Sequence, residues 1–131
     1  MKKKTVLIVE DELDMRIFLS TLLETSGYQS VMTRDGNEGM LKARDVHPDL
    51  IILDVMMPGE GGVQMYRQLK TNDELCSIPV IMLSAVARKT FAHYLNMVNA
   101  RLKKPIPEPD AYIEKPPEAE EILKMAEHLI G

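Results

Sequence analysis

The residues whose types could do chemistry are Glu10 and the adjoining Asp11, then Asp54, Ser84 and Lys115. They follow short apolar runs, Val6 to Val9, Leu50 to Leu53, Val80 to Leu83 and Ala111 to Ile113, that read as buried strands. In a parallel α/β sheet such strand ends converge on one edge, where these folds bind ligands. Three carboxylates brought together repel one another, and a hard cation with oxygen ligands resolves the conflict. Mg²⁺ suits the position because it takes one or two carboxylates, keeps several waters and accepts phosphate oxygens. A nucleophilic carboxylate, a cation site, an ammonium and a hydroxyl are the parts needed to take a phosphoryl group. Asp54 would supply the attacking oxygen, while Mg²⁺, Lys115 and Ser84 would each hold one phosphoryl oxygen.

The elements that must position these groups are legible as five alternations of strand and helix. Thr5 to Val9 is a first strand. Asp11 can cap a first helix with Met15, Phe18, Leu19 and Leu22 on its buried side, Arg16, Thr21 and Glu24 facing water, and Gly27 at its end. Tyr28 to Thr33 is a second strand, and Asn37 to Val46 a helix with Gly39, Met40 and Ala43 toward the sheet. Pro48 precedes the strand that carries Asp54, and Pro58, Gly59, Gly61 and Gly62 then turn the chain into a loop. A third helix runs to about Thr71, a fourth from about Val86 to Val98, and a last one from Pro116-Pro117 with Ile122, Leu123 and Ala126 on its apolar side. Between the last two helices, Asn99 to Asp110 carries Pro105, Pro107 and Pro109, which prevent a helix and favour an extended connection. This order implies an α/β fold, a five-stranded parallel sheet with helices on both faces and right-handed crossovers.

Bulk properties narrow the setting. A chain of 131 residues, 45% apolar and 27% charged, is one ordinary globular domain. Its net charge of −4 argues against direct nucleic-acid binding. The single Cys76 forms no internal disulfide, suits a reducing cytoplasm and reads as a small apolar filler. Lys2-Lys3-Lys4 is followed by too short an apolar segment for an export signal, and no run is long enough to insert in a membrane. His47, His93 and His128 lack partners at informative spacing and read as surface residues.

Val9-Glu10-Asp11-Glu12, Leu53-Asp54-Val55-Met56-Met57-Pro58 with Gly62, Ser84-Ala85, and Tyr112-Ile113-Glu114-Lys115-Pro116 resemble the receiver domain of bacterial two-component response regulators. The resemblance covers nearly the whole chain, residues 1–131 as one receiver of the single-domain, chemotaxis type. It implies a flavodoxin-like fold with strand order 2-1-3-4-5. It further implies that Asp54 is the phosphoacceptor and that Glu10, Asp11 and the Met56 backbone carbonyl join it around Mg²⁺. Lys115 would contact the phosphoryl group, Lys115-Pro116 would be cis, and Ser84 with Tyr112 would form the switch. The implied partners are a sensor histidine kinase or phosphotransfer protein and a downstream effector, with a phosphorylation-linked dimer left open. Such a protein works in the cytoplasm and is not a turnover enzyme beyond Mg²⁺-dependent self-phosphorylation and slow autodephosphorylation.

Three features depart from the family or compete with this reading. The connection at 99–110 is longer than usual and reads as a tolerated surface loop beside the signalling face. Met56 and Val86, two residues after Asp54 and Ser84, offer no polar side chain to orient an attacking water, so the phosphoryl group should be long-lived. Tyr112 reads equally as a sheet-end aromatic. The rival functions are a phosphorylation-independent pseudo-receiver and an aspartate-nucleophile phosphatase; the latter needs a second acid where this chain has Met56.

Overall fold

The structure, a computed structural model, describes residues 2–55 and 61–130. The expected strands are β1 (Thr5–Val9), β2 (Gln29–Thr33), β3 (Leu50–Asp54), β4 (Val80–Ser84) and β5 (Ala111–Glu114). All pair in parallel in the order 2-1-3-4-5. Between and after them lie α1 (Leu13–Thr25), α2 (Gly36–Val46), α3 (Gly62–Thr71), α4 (Arg88–Asn99) and α5 (Ala119–Ile130).

Strand side chains alternate between faces, and in β1, β3 and β4 both faces are buried because both are covered, whereas the edge strand β2 is largely polar and partly exposed. Leu7, Val9, Ile51, Leu53, Val80 and Met82 pack with Met40, Met65, Tyr66, Leu69, Phe91 and Leu95 from α2, α3 and α4. Val6, Ile8, Leu50, Ile52, Ile81 and Leu83 pack with Leu19, Leu23, Ile122 and Ala126 from α1 and α5. Gly39 is what lets α2 approach: a Cβ there would come within 2.8 Å of the Met65 sulfur and 3.0 Å of Val9. Among the described residues, no helix is long and apolar enough to cross a membrane.

Several local expectations need correction. Asp11 does not cap α1; Glu12 holds that position, and its side chain makes no capping bond. The Asp11 carboxylate lies with other acids instead. Leu19 and Leu23 are the fully buried residues of α1, and Phe18 is exposed. One residue back from Leu19 is about 100° around the helix, which carries Phe18 off the stripe. Cys76 is exposed, not a filler, and its neighbour Leu75 takes the core position. α4 begins at Arg88, two residues later than expected.

The 99–110 connection is irregular and mostly exposed, and it is anchored at specific points. Ile106 is buried in the core. Its amide donates to Asn99 Oδ1 at 2.7 Å, and Asn99 Nδ2 donates to its carbonyl at 2.9 Å. The buried Tyr66 donates its hydroxyl to the Pro107 carbonyl at 2.7 Å, and the Val80 amide donates to the Asp110 carboxylate at 2.8 Å. The prolines remove regular structure, but four side-chain hydrogen bonds and one apolar anchor tie the segment to α3, α4 and β4.

Burial pushes the Tyr66 phenol well above its ordinary pKa, and the carboxylates of Asp110 and Glu108 add to this. A phenol raised on folding contributes stability that is complete below the unfolded-chain pKa of about 10 and is lost as pH rises through the folded value. Tyr66→Phe should therefore be about 1 kcal/mol less stable than wild type at neutral pH, from the lost hydrogen bond. In urea denaturation that gap should narrow above a pH of about 10, where only the wild type has this phenol to ionise. A gap that stays constant would contradict the assignment.

Candidate functional site

The site lies where the strand order reverses. β1 runs next to both β2 and β3, and at such a switch point the connecting segments diverge and leave a crevice. Val9 of β1 is in register with Leu53 of β3, so Glu10 and Asp54 come level at the ends of adjacent strands. Ser84 ends β4, in register with Glu114 of β5, and Lys115 follows. The Lys115 amide donates to the Ser84 carbonyl at 2.8 Å, which carries the β5 end across the mouth of the site. The Lys115-Pro116 peptide is cis, as the resemblance implied.

Glu10, Asp11 and Asp54 each offer a carboxylate oxygen within 4.8 Å of the others. Glu10 is 1% and Asp54 2% exposed, while Asp11 is open to solvent. The Lys115 ammonium lies 2.8 Å from Glu10 Oε1, 3.3 Å from Asp54 Oδ2 and 3.6 Å from Glu12 Oε1. Glu10 Oε2 accepts the Glu12 amide at 3.0 Å, whereas Oε1 meets only the ammonium and no aligned hydrogen-bond donor among the described residues. Burial by itself would pull the Lys115 pKa down, but the close carboxylates of Glu10 and Asp54 outweigh it and hold it above the ordinary value. The lysine is therefore a fixed positive charge at neutral pH.

The donor set fits a hard divalent cation. It is all carboxylate oxygen, and one buried oxygen, Glu10 Oε1, is served by charge rather than by an aligned donor. Three acids against one ammonium also leave the group anionic. The expected Met56 carbonyl ligand, with Met57, Pro58 and Gly59, lies outside the described residues. Gly62 does belong to the site's framework: a Cβ there would fall on the Asp54 carbonyl oxygen, so only glycine lets α3 start against that peptide.

Ser84 and Tyr112 both bond Val86. The buried Ser84 hydroxyl accepts the Val86 amide at 2.9 Å. Tyr112 donates its hydroxyl to the Val86 carbonyl at 2.6 Å, and its ring lies 5.3 Å from that of Phe91. The Tyr112 ring is thus already inside, 7% exposed. Burial raises the Tyr112 pKa, so the hydroxyl keeps its proton for this bond. His47, His93 and His128 are exposed.

Sequence reasoning missed three residues that serve this region. Glu12 reaches Lys115, Arg88 donates to the Tyr112 carbonyl at 2.9 Å, and Arg16 reaches back to the strand-one acids instead of facing water. Arg16 did carry a signal: a cation is disfavoured in the first turn of a helix, so one placed there needs a local acceptor.

The response regulator receiver domain model matches residues 6–127. The polar-differentiation response regulator DivK of Brucella ovis is 46% identical over 87 residues, 66% of this chain and 70% of that protein. The fold of Vibrio cholerae chemotaxis protein CheY4 matches with a TM-score of 0.83 at 24% identity, over 98% of this chain and 99% of that one. A signal receiver domain of a histidine kinase from Syntrophus aciditrophicus matches at 0.82 and 30% identity, over 97% and 89%.

The charge balance can be probed directly. Replacing Lys115 by Met should destabilise the fold by on the order of 2 kcal/mol in chelator, between the limits for exposed and fully buried pairs. Saturating Mg²⁺ should restore part of that loss in urea denaturation, because it returns positive charge to the acids. An undiminished loss in Mg²⁺ would contradict the cation fit.

Proposed function

Because the chain belongs to the response regulator receiver domain family, we propose that it is a phosphoacceptor signalling switch acting through Asp54. The family is not one of conventional enzymes, and membership implies a histidine kinase partner. The observation that carries the finer reading is the meeting of Glu10, Asp11 and Asp54 within 4.8 Å beside the Lys115 ammonium.

In the proposed reaction an Asp54 carboxylate oxygen attacks the phosphorus of a partner's phosphohistidine. An O–P bond forms as the P–N bond breaks, and the imidazole nitrogen keeps the electron pair. Glu10, Asp11 and Asp54, with the Met56 carbonyl, would hold Mg²⁺, which when bound supplies positive charge against the phosphoryl oxygens. Lys115 exchanges part of its contact with Asp54 for a phosphoryl oxygen. Ser84 turns its hydroxyl toward another, giving up the Val86 amide.

Val86 links this event to the surface. Its amide is held by Ser84 and its carbonyl by Tyr112, whose ring touches Phe91. Phe91 in turn lines a groove of about 310 Å³ between α4 and β5, with Leu95, Tyr112, Arg88, Glu108 and Asp110. Since the Tyr112 ring is already inside, phosphorylation biases an existing equilibrium rather than creating a new position. The α4, β5 and α5 face would present that bias to an effector or to a second phosphorylated copy.

Acetyl phosphate with Mg²⁺ should add the mass of one phosphoryl group to the intact chain, and Asp54→Asn should gain none. The adduct should survive isolation in Mg²⁺ for longer than seconds, since Val86 supplies no polar group to orient water. Equal gain in the Asp54→Asn protein would overturn the assignment.

A further inference from the structure

The two strand-one acids are held by a residue that the proposed chemistry does not use. Arg16, in the first turn of α1, donates a single nitrogen, Nη1, to two consecutive peptide carbonyls, Glu10 at 2.8 Å and Asp11 at 3.0 Å. Glu10 is otherwise tied at several points: its amide donates to the Thr33 carbonyl at 3.1 Å, and its carboxylate meets the Glu12 amide and Lys115. Asp11 has no such set of ties. It is exposed, and among the described residues the Arg16 guanidinium is the side chain that holds its backbone.

Two successive carbonyls aimed at one nitrogen constrain the dihedrals of Asp11, and these set the direction of its Cα–Cβ bond. We infer that Arg16 is a positioning residue that presents the Asp11 carboxylate to the cation site through the Glu10 and Asp11 carbonyls. The inference deepens the reading under Proposed function and rests on it only in taking the three acids as a cation site. Without Arg16 the loop would have to order its backbone when a cation binds, at a cost comparable to fixing one residue.

The physical argument also sets the sign of the effect. A guanidinium beside a cation site repels the cation, so charge alone predicts that removing Arg16 tightens Mg²⁺ binding. Positioning predicts that it weakens. A purely structural tie between α1 and β1 predicts lower stability with unchanged affinity in the folded protein.

The test is calorimetric titration of the full chain with Mg²⁺ alone, without phosphodonor, for wild type, Arg16→Met and Arg16→Lys. Positioning predicts affinity about tenfold weaker in Arg16→Met, the equivalent of ordering one residue. Arg16→Lys, which keeps the charge and donors but loses the guanidinium's planar fork, should fall between. Backbone amide resonances of Asp11 and Glu12 should shift and broaden in both variants before any Mg²⁺ is added. Equal or tighter binding in Arg16→Met overturns the role of Arg16 and leaves the phosphoacceptor reading standing. No Mg²⁺ binding by the wild type overturns both. If Arg16→Met does not fold, the lysine variant decides: wild-type affinity there overturns the inference, and weaker binding supports it.

Discussion

Two carboxylates, Glu10 and Asp54, are held out of water at the ends of adjacent strands, and one ammonium answers both. This is the constraint that the rest of the structure accommodates. Two unit charges within 4.8 Å of one another repel by at least about 3.5 kcal/mol at an effective dielectric constant of 20, and desolvation adds several more for each ion. Burying one Leu or Ile side chain returns roughly 1.5–3 kcal/mol. The acids are thus sustained by a rigid apolar sheet beneath them and by Lys115 across them. Register does the placing: Val9 against Leu53 brings the acids level, and the Lys115 amide on the Ser84 carbonyl brings the ammonium over.

The same arrangement joins the site to the surface through two hydrogen bonds and one ring contact. Ser84 closes β4 and Val86 lies in the segment that follows, while Tyr112 and Lys115 bracket the end of β5. Under the proposed function, a change in what holds the Ser84 hydroxyl would be felt at Val86, then at Tyr112 and Phe91. The pinned 99–110 connection bears on this path from the other side. Its Ile106 and its bonds to Asn99, Tyr66 and Val80 fix the C-terminal end of α4, so motion in response to the site would concentrate at the N-terminal end, near Arg88.

Much of this was legible in the sequence because it depends on periodicity and on strand ends. Uniformly apolar runs marked strands covered on both faces, and the polar residue closing each run marked the site. Less legible was whatever depends on a side chain reaching elsewhere in space. Phe18 looked buried because it fell on an i, i+3 pattern that begins at Met15, whereas the stripe is centred on Leu19 and Leu23. Arg16 looked solvated because its acceptors are backbone carbonyls, which have no residue type to read. The 99–110 segment read as a surface connection, but prolines announce only the absence of helix and say nothing of its anchors at Asn99 and Tyr66. Cys76 looked like filler because thiols usually are buried, yet Leu75 beside it serves the core better.

The central claim is that the carboxylates at the β1 and β3 ends form a site for a divalent cation, the condition for phosphoryl chemistry at Asp54. The most direct test is the thermal midpoint of the wild type in Mg²⁺ compared with monovalent salt at matched ionic strength. A specific site predicts a rise in Mg²⁺ beyond that in the monovalent salt, growing with Mg²⁺ concentration, because a ligand that binds only the folded state stabilises it by mass action. Midpoints that depend on ionic strength alone would contradict the account.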